Sequence, residues 1–517
     1  MSRSCQAHEL AEKLEEHLRS KGREIKVYRR SITTQAGTVS LLIREGLDKK
    51  FVMIYREESD LVESFKAEEE GELDGFKYRI CPCNHENALA LRRYFPYTRP
   101  SRLAKGSTIG MGDRIGVATP GHIRAAREFG IFPALAQQSI REMGRTGRSP
   151  EEVLDDVSWA VFQEGYRDGF AADADHLKTL EDIDRTFNAG FTMYTLDPSD
   201  YVDDLAGTYD PKTLREKFEE LPWKELGCDP RSCLNKYVGQ RFRLRSAEGE
   251  VDITFSEEVL MRSAVKYSRA IAHILKMYNR LVELFDGKRF DLEISVDETA
   301  SPTTPQEHFF IASELKRLGV RFDGLALRFV GAFEKAVDYR GDLKKFEETF
   351  KIHVIIAKSL GPYKLSIHSG SDKFSIYPII GKWAKGMFHL KTAGTSYLEA
   401  LRVVARHDPR LFREIIDYSM KCFERDKATY MISTKIESIP DHRMCRDEEL
   451  EDVFLNRDEG RQLLHVTYGS ILTARDSNGR WIFRDKIRKI LLENEEEYYQ
   501  LLQNHFRKHL MALGLKG

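Results

Sequence analysis

Short apolar segments alternate with helical segments from about residue 112 onward, and this alternation leaves few folds open to the chain. Repeated β–α units are typical of a parallel sheet whose strands are joined by helices. They predict an α/β fold of the TIM type, a (β/α)8 barrel with insertions. A doubly wound open sheet is the rival fold, but no Gly-x-Gly-x-x-Gly motif follows a strand to support it. The predicted strands are 114–119, 169–175, 191–196, 290–297, 324–330, 363–368 and 387–391, with a weaker one at 464–468.

The segments on either side of this repeat differ from it. A chain of 517 residues is longer than a single hydrophobic core usually supports, so additional units are expected. Residues 1–105 combine helical segments with three strand-like runs, at 38–44, 50–55 and 76–80, and predict an α/β cap or an oligomerisation element. Residues 106–480 would form the barrel, with its longest insertion at about 200–250. Residues 481–517 predict a C-terminal helical tail, whose charge run at 493–497 should face solvent.

The composition is that of an ordinary globular protein, with 32% charged and 41% hydrophobic residues and with Lys+Arg 81 against Asp+Glu 82. There is no basic tract for nucleic acid and no apolar run of about 18 residues for a membrane span. The amino-terminal segment lacks the apolar core of a signal peptide. These features predict a cytoplasmic protein that binds neither nucleic acid nor membrane. Large barrels with an added unit often form homo-oligomers, but the sequence leaves the oligomeric state open.

One charged run, 172–178, stands at the end of a predicted strand. Alternate residues of a strand share a face, so Asp173 and Asp175 should point the same way, with His176 and Lys178 directly after them. Adjacent carboxylates are costly unless a metal or a polar substrate lies among them, although a solvated loop explains this run equally well. His176 can join the two carboxylates only if the strand breaks at Asp175, because a regular strand would point it away.

Polar residues also stand at the end of the fourth predicted strand, where a barrel gathers its reactive groups. This strand ends in Asp297 and Glu298, and such acids are as often helix caps or salt-bridge partners. A capping box of Thr304 and Glu307 follows and places His308 in the first helical turn. A neutral, ligating imidazole suits that position, and a half-buried packing histidine is the alternative.

The last two clear strands repeat this arrangement. His368 ends one of them, and the other places His389 and Lys391 on one face. A second capping box, Ser396 and Glu399, predicts a helix start whose exposed N–H groups could hold an anion. Histidines and carboxylates from separate strand ends are the ligands expected for a divalent zinc, manganese, nickel or cobalt ion. Further polar candidates on these strands and loops are Arg328, Ser369, Asp372 and Lys373.

Several of these motifs together resemble a known family. The resemblance is to the tagaturonate epimerase family of hexuronate catabolism, and it extends from about 105 to 475. It implies a metal-dependent epimerase that interconverts D-tagaturonate and D-fructuronate. Some members of the family act on the neutral ketoses D-tagatose and D-fructose, and the sequence leaves the preferred substrate open. The motifs that carry it are 173–178 (Asp-Ala-Asp-His-Leu-Lys), 297–308, 328–331, 368–373 and 389–395.

The chemistry of such a substrate favours a metal. The inverted carbon lies β to the ketone, so the carbonyl does not acidify its C–H bond. We expect a retro-aldol route, in which a base removes the hydroxyl proton, the adjacent C–C bond breaks, and the aldehyde fragment rotates and re-adds. A metal would stabilise the negative charge on the ketone oxygen by several kcal/mol. Hydride transfer through a transient ketone is the competing route.

The resemblance and this chemistry together suggest a role for each candidate. Asp175 and Glu298 are the predicted acid/base pair. The predicted metal ligands are His176, His308 and His368. The predicted substrate-binding residues are Lys178, Arg328, Ser369, Lys373 and Lys391, with Asp173, Asp372 and His389 as candidates for any of these roles.

Two other functions fit the same residues. A metal-dependent aldolase or aldose–ketose isomerase acting on a sugar acid would use the same ligands, and an aldolase would release three-carbon products. A sugar-acid-binding protein without turnover would bind its ligand whether or not a chelator is present.

Overall fold

Eight parallel strands close into a barrel in the computed structural model, which describes residues 3–517. Along the whole chain the strands are β1 (Ile25–Gln35), β2 (Thr38–Glu45), β3 (Asp48–Tyr55), β4 (Glu69–Leu73), β5 (Phe76–Pro82), β6 (Thr108–Gly110), β7 (Phe132–Ser139), β8 (Ala171–Leu177), β9 (Met193–Leu196), β10 (Arg241–Ser246), β11 (Gly249–Thr254), β12 (Asp291–Val296), β13 (Gly324–Leu327), β14 (Lys364–Ile367) and β15 (Phe388–Lys391). Going round the barrel, their order is β12-β13-β14-β15-β6-β7-β8-β9. The predicted α/β barrel is therefore confirmed.

Helices connect the barrel strands and cover their outer faces. The α-helices in the described part of the chain are α1 (Arg3–Ser20), α2 (Asp60–Glu63), α3 (His85–Tyr94), α4 (Thr119–Phe129), α5 (Ile140–Thr146), α6 (Pro150–Gln163), α7 (Leu180–Ala189), α8 (Pro211–Glu219), α9 (Pro230–Tyr237), α10 (Glu257–Phe285), α11 (Pro305–Arg317), α12 (Leu343–Leu360), α13 (Tyr377–Trp383), α14 (Thr395–His407), α15 (Pro409–Asp426), α16 (Asp458–Val466), α17 (Tyr468–Thr473), α18 (Arg484–Glu493) and α19 (Glu495–Ala512). The apolar residues of β12, namely Leu292, Ile294 and Val296, belong to the main core that these helices share with the sheet.

Six of the predicted strands are barrel strands, β8, β9 and β12–β15, and two are wrong. The segment 114–119 is a loop, because the Asp113 carboxylate accepts the backbone N–H groups of Ile115, Gly116 and Ala118 and curls the chain. The segment 464–468 spans the end of α16 and the start of α17. Short apolar runs do not distinguish a buried strand from a buried helix. The barrel takes its first two strands instead from β6 and β7, which the prediction missed.

A five-stranded antiparallel sheet precedes the barrel, in the order β1-β2-β3-β5-β4. Strands β2, β3 and β5 contain the three predicted strand-like runs, and β1 and β4 are additional. One face of the sheet packs against α1. The other face packs against helix α6 of the barrel, where the ring of Phe51 lies 5.8 Å from that of Trp159 and 5.3 Å from that of Phe162. This aromatic cluster joins the sheet to the barrel.

The longest connection between barrel strands runs from β9 to β12. It contains α8, α9, the two-stranded hairpin β10–β11 and the long helix α10. Tyr237 and Lys236, at the end of α9, donate hydrogen bonds of 2.6 and 2.7 Å to Glu314 on α11. The insertion is thereby fixed to the outer helical layer.

The last helix, α19, is held by residues from the opposite end of the sequence. Glu495 is 3% exposed and accepts hydrogen bonds from Lys26 Nζ at 2.6 Å and from the Tyr28 hydroxyl at 2.9 Å. The prediction that the charge run 493–497 faces solvent is therefore wrong for Glu495, because β1 supplies partners that local sequence cannot reveal. Among the described residues, no helix is long and apolar enough to cross a membrane.

Candidate active site

A cleft opens at the carboxyl ends of the barrel strands, the face on which TIM barrels place their reactive groups. It is lined by strand ends, by the loops that follow them and by His465 of α16. A second space adjoins it and shares residues such as Glu298, His368 and Tyr430 with it. Most of its lining is polar or charged, which suits a hydroxylated substrate.

Lys391 of β15 holds together the carboxylates of the barrel interior, directly beneath the cleft. Its Nζ lies 2.8 Å from Asp173 Oδ2, 2.6 Å from Asp175 Oδ1 and 2.8 Å from Glu293 Oε1. It also donates to Thr195 Oγ1 at 2.8 Å. Burial alone would lower the pKa of Lys391, but the three carboxylates raise it well above its usual value. The ammonium group therefore stays charged and neutralises much of the buried negative charge.

His368 connects this interior network with the cleft. Its Nε2 lies 2.7 Å from Glu293 Oε1, and its Nδ1 lies 3.0 Å from Asp297 Oδ1. Burial alone would lower the pKa of His368, but Asp297 and Glu293 outweigh it and raise the pKa to about 10. The ring is therefore protonated at neutral pH, and it would release a proton on binding a metal ion.

Strand β8 does not end at Asp175, as a ligand role for His176 was expected to require, but it is irregular there. The pairing of β8 with β9 loses register between Ala174 and Leu177, and the φ angle of His176 is +53°. His176 Nδ1 lies 3.0 Å from Asp197 Oδ2, and its Nε2 lies 3.8 Å from Asp175 Oδ1. A left-handed conformation is costly for histidine and is kept mainly where surrounding structure or function requires it.

Three residues of this region have the geometry of a metal site. His176, Asp197 and Glu298 offer ligand atoms that all lie within 4.8 Å of one another. The His368 ring lies beside them, 5.0 Å from the His176 ring. Imidazole and carboxylate donors of this kind suit zinc and related divalent ions. We refer to this side of the cleft as the carboxylate wall, which comprises Asp175, His176, Asp197, Asp297, Glu298 and His368.

A second group with metal-site spacing consists of Asp372, His505 and His509, all buried. Its ligand atoms already have protein partners. The Asp372 carboxylate accepts a hydrogen bond of 2.7 Å from Arg461, and His509 Nε2 accepts one of 2.9 Å from the Asp372 N–H group. This group ties α19 to the loop after β14 and is less suited to an ion than the carboxylate wall.

The other side of the cleft carries positive charge. Arg114 follows β6, which lies four places round the barrel from β12, the strand of Asp297 and Glu298. Lys335 from the loop after β13, Thr395 at the start of α14 and His465 of α16 complete this side. We refer to these four residues, Arg114, Lys335, Thr395 and His465, as the cationic wall.

The helix that contributes Thr395 starts near the predicted position but without the predicted capping box. Helix α14 begins at Thr395, and no side chain caps it. Ser396 Oγ instead lies 2.8 Å from His122 Nε2, and Glu399 accepts from Arg402. The N-terminal end of this helix therefore faces the cleft without a side-chain acceptor of its own.

Comparison with known proteins decides the family. A family model for tagaturonate epimerases (UxaE) matches residues 28–513. The chain belongs to the tagaturonate epimerase family.

Relatives of this family match almost the whole chain. The tagaturonate/fructuronate epimerase of Thermotoga maritima is 42% identical over 493 residues, which cover 95% of this chain and 98% of that protein. Two crystal structures of the fructuronate-tagaturonate epimerase of Cohnella laeviribosi, one native and one with a single glycerol bound, are each 40% identical with a TM-score of 0.89. They cover 98% of this chain and 99% to 100% of their own. The resemblance predicted from the motifs is confirmed, and so is the assignment to isomerases of the carbohydrate epimerase type.

The structure brings most of the predicted catalytic and metal-binding residues of this tagaturonate epimerase family member to one cleft. Arg328 lines the adjoining space, where its Nη2 lies 3.5 Å from Met431 Sδ. Asp173 lies beneath the cleft in the network of Lys391. The predicted residues that line the cleft itself are Asp175, His176, Glu298, His368, Ser369 and Lys391.

His308 does not join them. The predicted capping box of Thr304 and Glu307 forms, so His308 lies in the first turn of α11 as expected. Its ring faces α12, with Nδ1 3.0 Å from His353 Nδ1 and Nε2 2.7 Å from the Tyr363 hydroxyl. Burial lowers the pKa of His308 well below its usual value. The predicted ligand role is corrected here, because both ring nitrogens are engaged away from the carboxylate wall and the alternative of a packing histidine describes this ring.

Lys373 and Asp372 also need correction as substrate-binding residues, because both are turned into the protein. Lys373 Nζ donates to the backbone carbonyls of Glu334, Val337 and Ser371 at 2.8, 2.5 and 3.0 Å. An ammonium group has three donors, and all three are used here. The Asp372 carboxylate is occupied by Arg461, as described above.

Lys178 and His389 both lie outside the cleft. Lys178 pairs with Asp200 at 2.7 Å on the surface. His389 is buried in the barrel with Nδ1 2.8 Å from Thr108 Oγ1, and burial lowers its pKa to about 3. Neither side chain lines the cleft, so their predicted substrate contacts are corrected as well.

Several cleft residues escaped the sequence prediction. Asp197 follows β9 directly, so the signal of a strand-end acid was available for it. Gln137 lies on β7, which was missed, and Arg114 lay inside a segment taken for a strand. Lys335 and Tyr430 come from long irregular connections that carry no periodic signal. His465 shares this difficulty, since it was assigned to a weak strand rather than to α16.

Proposed function

We propose that this chain interconverts D-tagaturonate and D-fructuronate with the help of a divalent metal ion bound at the carboxylate wall. The relatives that match nearly the whole chain carry this activity in their names. The observation that carries the proposal is the group of His176, Asp197 and Glu298 at the mouth of the barrel, beside a polar cleft.

The donor set fits a zinc, manganese, nickel or cobalt ion. Asp197 accepts a hydrogen bond from His176 Nδ1, which fixes the tautomer that leaves Nε2 free as a ligand atom. Glu298 is exposed at the rim, so the ligand set remains open toward the cleft. We propose His176, Glu298 and His368 as ligands, with Asp197 as the residue that orients His176. When bound, the ion would act as a Lewis acid toward the ketone oxygen of the substrate.

Asp175 is placed to act as the base for the hydroxyl proton. Burial alone would raise its pKa, but Lys391, His176 and His368 lower it well below its usual value, so the carboxylate is ionised at neutral pH. Gln137 Nε2 donates to Asp175 Oδ2 at 3.0 Å and holds it in place. A fixed, charged carboxylate next to the cleft can accept a proton from the hydroxyl group of the inverting carbon.

A retro-aldol route then accounts for inversion without any net change in atoms or electrons. Asp175 accepts the proton from the hydroxyl on the carbon β to the ketone, and the bond between this carbon and its neighbour breaks. The aldehyde fragment turns in the cleft and re-adds through its other face, where a second carboxyl group returns a proton. Glu298 serves either as this partner or as a ligand of the ion, and the metal content of its variant, described below, separates the two roles. The same steps apply to D-tagatose and D-fructose.

The first experiment measures conversion of D-tagaturonate by NMR before chelation, after chelation and after return of single divalent ions. We expect D-fructuronate to form, to disappear with the metal and to reappear with at least one ion. Conversion that survives complete removal of the metal would contradict the proposed metal dependence. Accumulation of three-carbon fragments would indicate an aldolase instead.

Metal content of purified variants tests the ligand set. We expect His176→Asn to lose the ion and the matched variant His308→Asn to keep it, measured per folded protein by elemental analysis. In Glu298→Gln, an intact metal content with lost turnover would assign Glu298 to proton transfer alone. Loss of the ion in the same variant would assign it to the ligand set.

A further inference from the structure

The cationic wall contains a buried guanidinium nitrogen that no protein group satisfies. Arg114 is 5% exposed, and its Nε donates to Glu142 Oε1 at 3.0 Å while Nη2 donates to the same oxygen. The guanidinium lies 3.5 Å from the centre of the Tyr468 ring. Within residues 3–517, Nη1 has no hydrogen-bond partner. Buried polar groups are almost always satisfied, so an acceptor from outside the protein is expected at this nitrogen.

His465 repeats this pattern. It is 2% exposed, and neither ring nitrogen has a hydrogen-bond partner in the described part of the chain. Burial, together with the nearby charges of Arg114 and Lys335, lowers its pKa well below its usual value. The ring is therefore neutral and offers one N–H donor.

The backbone at Gly394 lets these two side chains approach each other. A Cβ atom at this position would lie 2.6 Å from Arg114 Nη2 and 2.7 Å from His465 Cε1. The φ angle of Gly394 is +106°, a conformation that side-chain-bearing residues rarely adopt. The two side chains that carry unsatisfied nitrogens are thus placed over the same stretch of backbone.

Two further features add positive potential. Lys335 Nζ donates to Ser369 Oγ at 2.6 Å and keeps two other donors. Helix α14 has 13 residues, begins at Thr395 without a side-chain cap and directs its N-terminus to the cleft. Glu142 offsets part of the charge of Arg114. It does not neutralise the positive charge of Lys335 or the partial positive charge at the N-terminus of α14.

We propose that the cationic wall binds the carboxylate group of a hexuronate substrate, with Arg114 and His465 as the selecting donors and Lys335 as the second cation. This inference rests on the proposed function, since it names the end of the substrate that the metal does not hold. Arg114 follows β6, across the barrel from β12, so an open-chain uronate with its carboxylate at Arg114 would span the cleft with its ketone at the carboxylate wall. A neutral ketose presents a hydroxyl group here and leaves Lys335 without a counter-charge.

The test compares a charged substrate with its neutral counterpart. The variants are Arg114→Lys and His465→Asn. The first keeps the positive charge beside Glu142 but removes the planar guanidinium group with its several N–H donors. KM and kcat are measured for D-tagaturonate, and Ki is measured for D-tagatose as an inhibitor of the same reaction. We expect KM to rise about 10- to 100-fold in each variant, while Ki changes by less than about twofold. Arg475→Lys is the matched control, because its guanidinium lies 3.4 Å from the Trp481 ring at the exposed surface.

An unchanged KM, or a parallel rise in KM and Ki, would overturn the inference. Thermal unfolding identifies a variant that does not fold, and His465→Asn carries the test if Arg114→Lys is lost. If the wild-type protein converts no D-tagaturonate, the same comparison is made with dissociation constants from calorimetry. Selectively weakened uronate binding would then support the carboxylate site although the proposed reaction had failed. No uronate binding by the wild-type protein would overturn both.

Discussion

The two walls of the cleft are built in different ways. Every member of the carboxylate wall lies at or just after the end of a barrel strand, and the buried network around Lys391 supports it from below. The cationic wall is assembled from loops and helices, and Arg114 and His465 keep unsatisfied polar atoms. On the proposals above, a divalent metal ion completes the first wall and the carboxylate group of the substrate completes the second. We propose that the chemistry common to all substrates takes place at the first wall and that the second wall selects among substrates.

The largest expected effect lies in the carboxylate wall and concerns turnover of every substrate. Asp175→Asn removes the proposed base, so kcat should fall roughly 10²- to 10⁴-fold for uronate and for any neutral ketose that is converted. NMR progress curves with each substrate measure this. Asp200→Asn, at an exposed carboxylate paired with Lys178, serves as control and should leave kcat unchanged. Near-full turnover in Asp175→Asn would remove the functional distinction between the walls.

The next effect concerns stability. Lys391→Met leaves three buried carboxylates without their counter-ion, and the free energy of unfolding should fall by about 3–5 kcal/mol. Lys382→Met is the matched control. Lys382 pairs with Glu347 at 2.7 Å, but its side chain is 60% exposed, so its loss should cost less than about 1 kcal/mol. Denaturant titration compares the two. Equal losses would mean that the network beneath the carboxylate wall does not hold it in place.

The smallest effect sharpens the role of the cationic wall. Gly394→Ala introduces a Cβ between Arg114 and His465 and should cost about 1–3 kcal/mol of stability through backbone strain. It should also raise KM for D-tagaturonate more than Ki for D-tagatose. Gly386→Ala is the control, because Gly386 has a φ angle of +75° but nothing within 4 Å of an added Cβ. If Gly394→Ala and Gly386→Ala show the same KM and Ki, displacement of Arg114 and His465 has no consequence for uronate binding.

The same contrast explains which parts of the molecule the sequence predicted. Strands with alternating or continuous apolar residues, such as β12, were recognised because their pattern is local. Strand β6 has only three residues, and β7 carries Pro133 and two glutamines, so neither shows a strand pattern. Most residues of the carboxylate wall were found for the same reason, since they lie at or just after the end of a strand, but Asp197 was missed although it directly follows β9.

Contacts between distant segments set the limit of the prediction. The capping box placed His308 in the correct helical turn, but the direction of its ring depends on packing against His353 of α12. Lys373 follows a predicted strand, yet three backbone carbonyls from other loops occupy its ammonium group. Arg114 and His465 are separated by most of the barrel in sequence, and only the closed fold brings them together.

The position of α19 has a consequence for the order in which this protein can assemble during synthesis. Its first residue, Glu495, binds Lys26 across a separation of 469 residues, and its His509 binds the loop after β14 beside the cleft. The residues of the N-terminal sheet and of nearly the whole barrel therefore leave the ribosome before α19, the helix that contacts both, has been synthesised. Contacts over such separations form slowly. A nascent chain that has reached residue 490 would hold every residue of both walls and still lack the helix that joins the loop at the cleft to the first strand of the molecule.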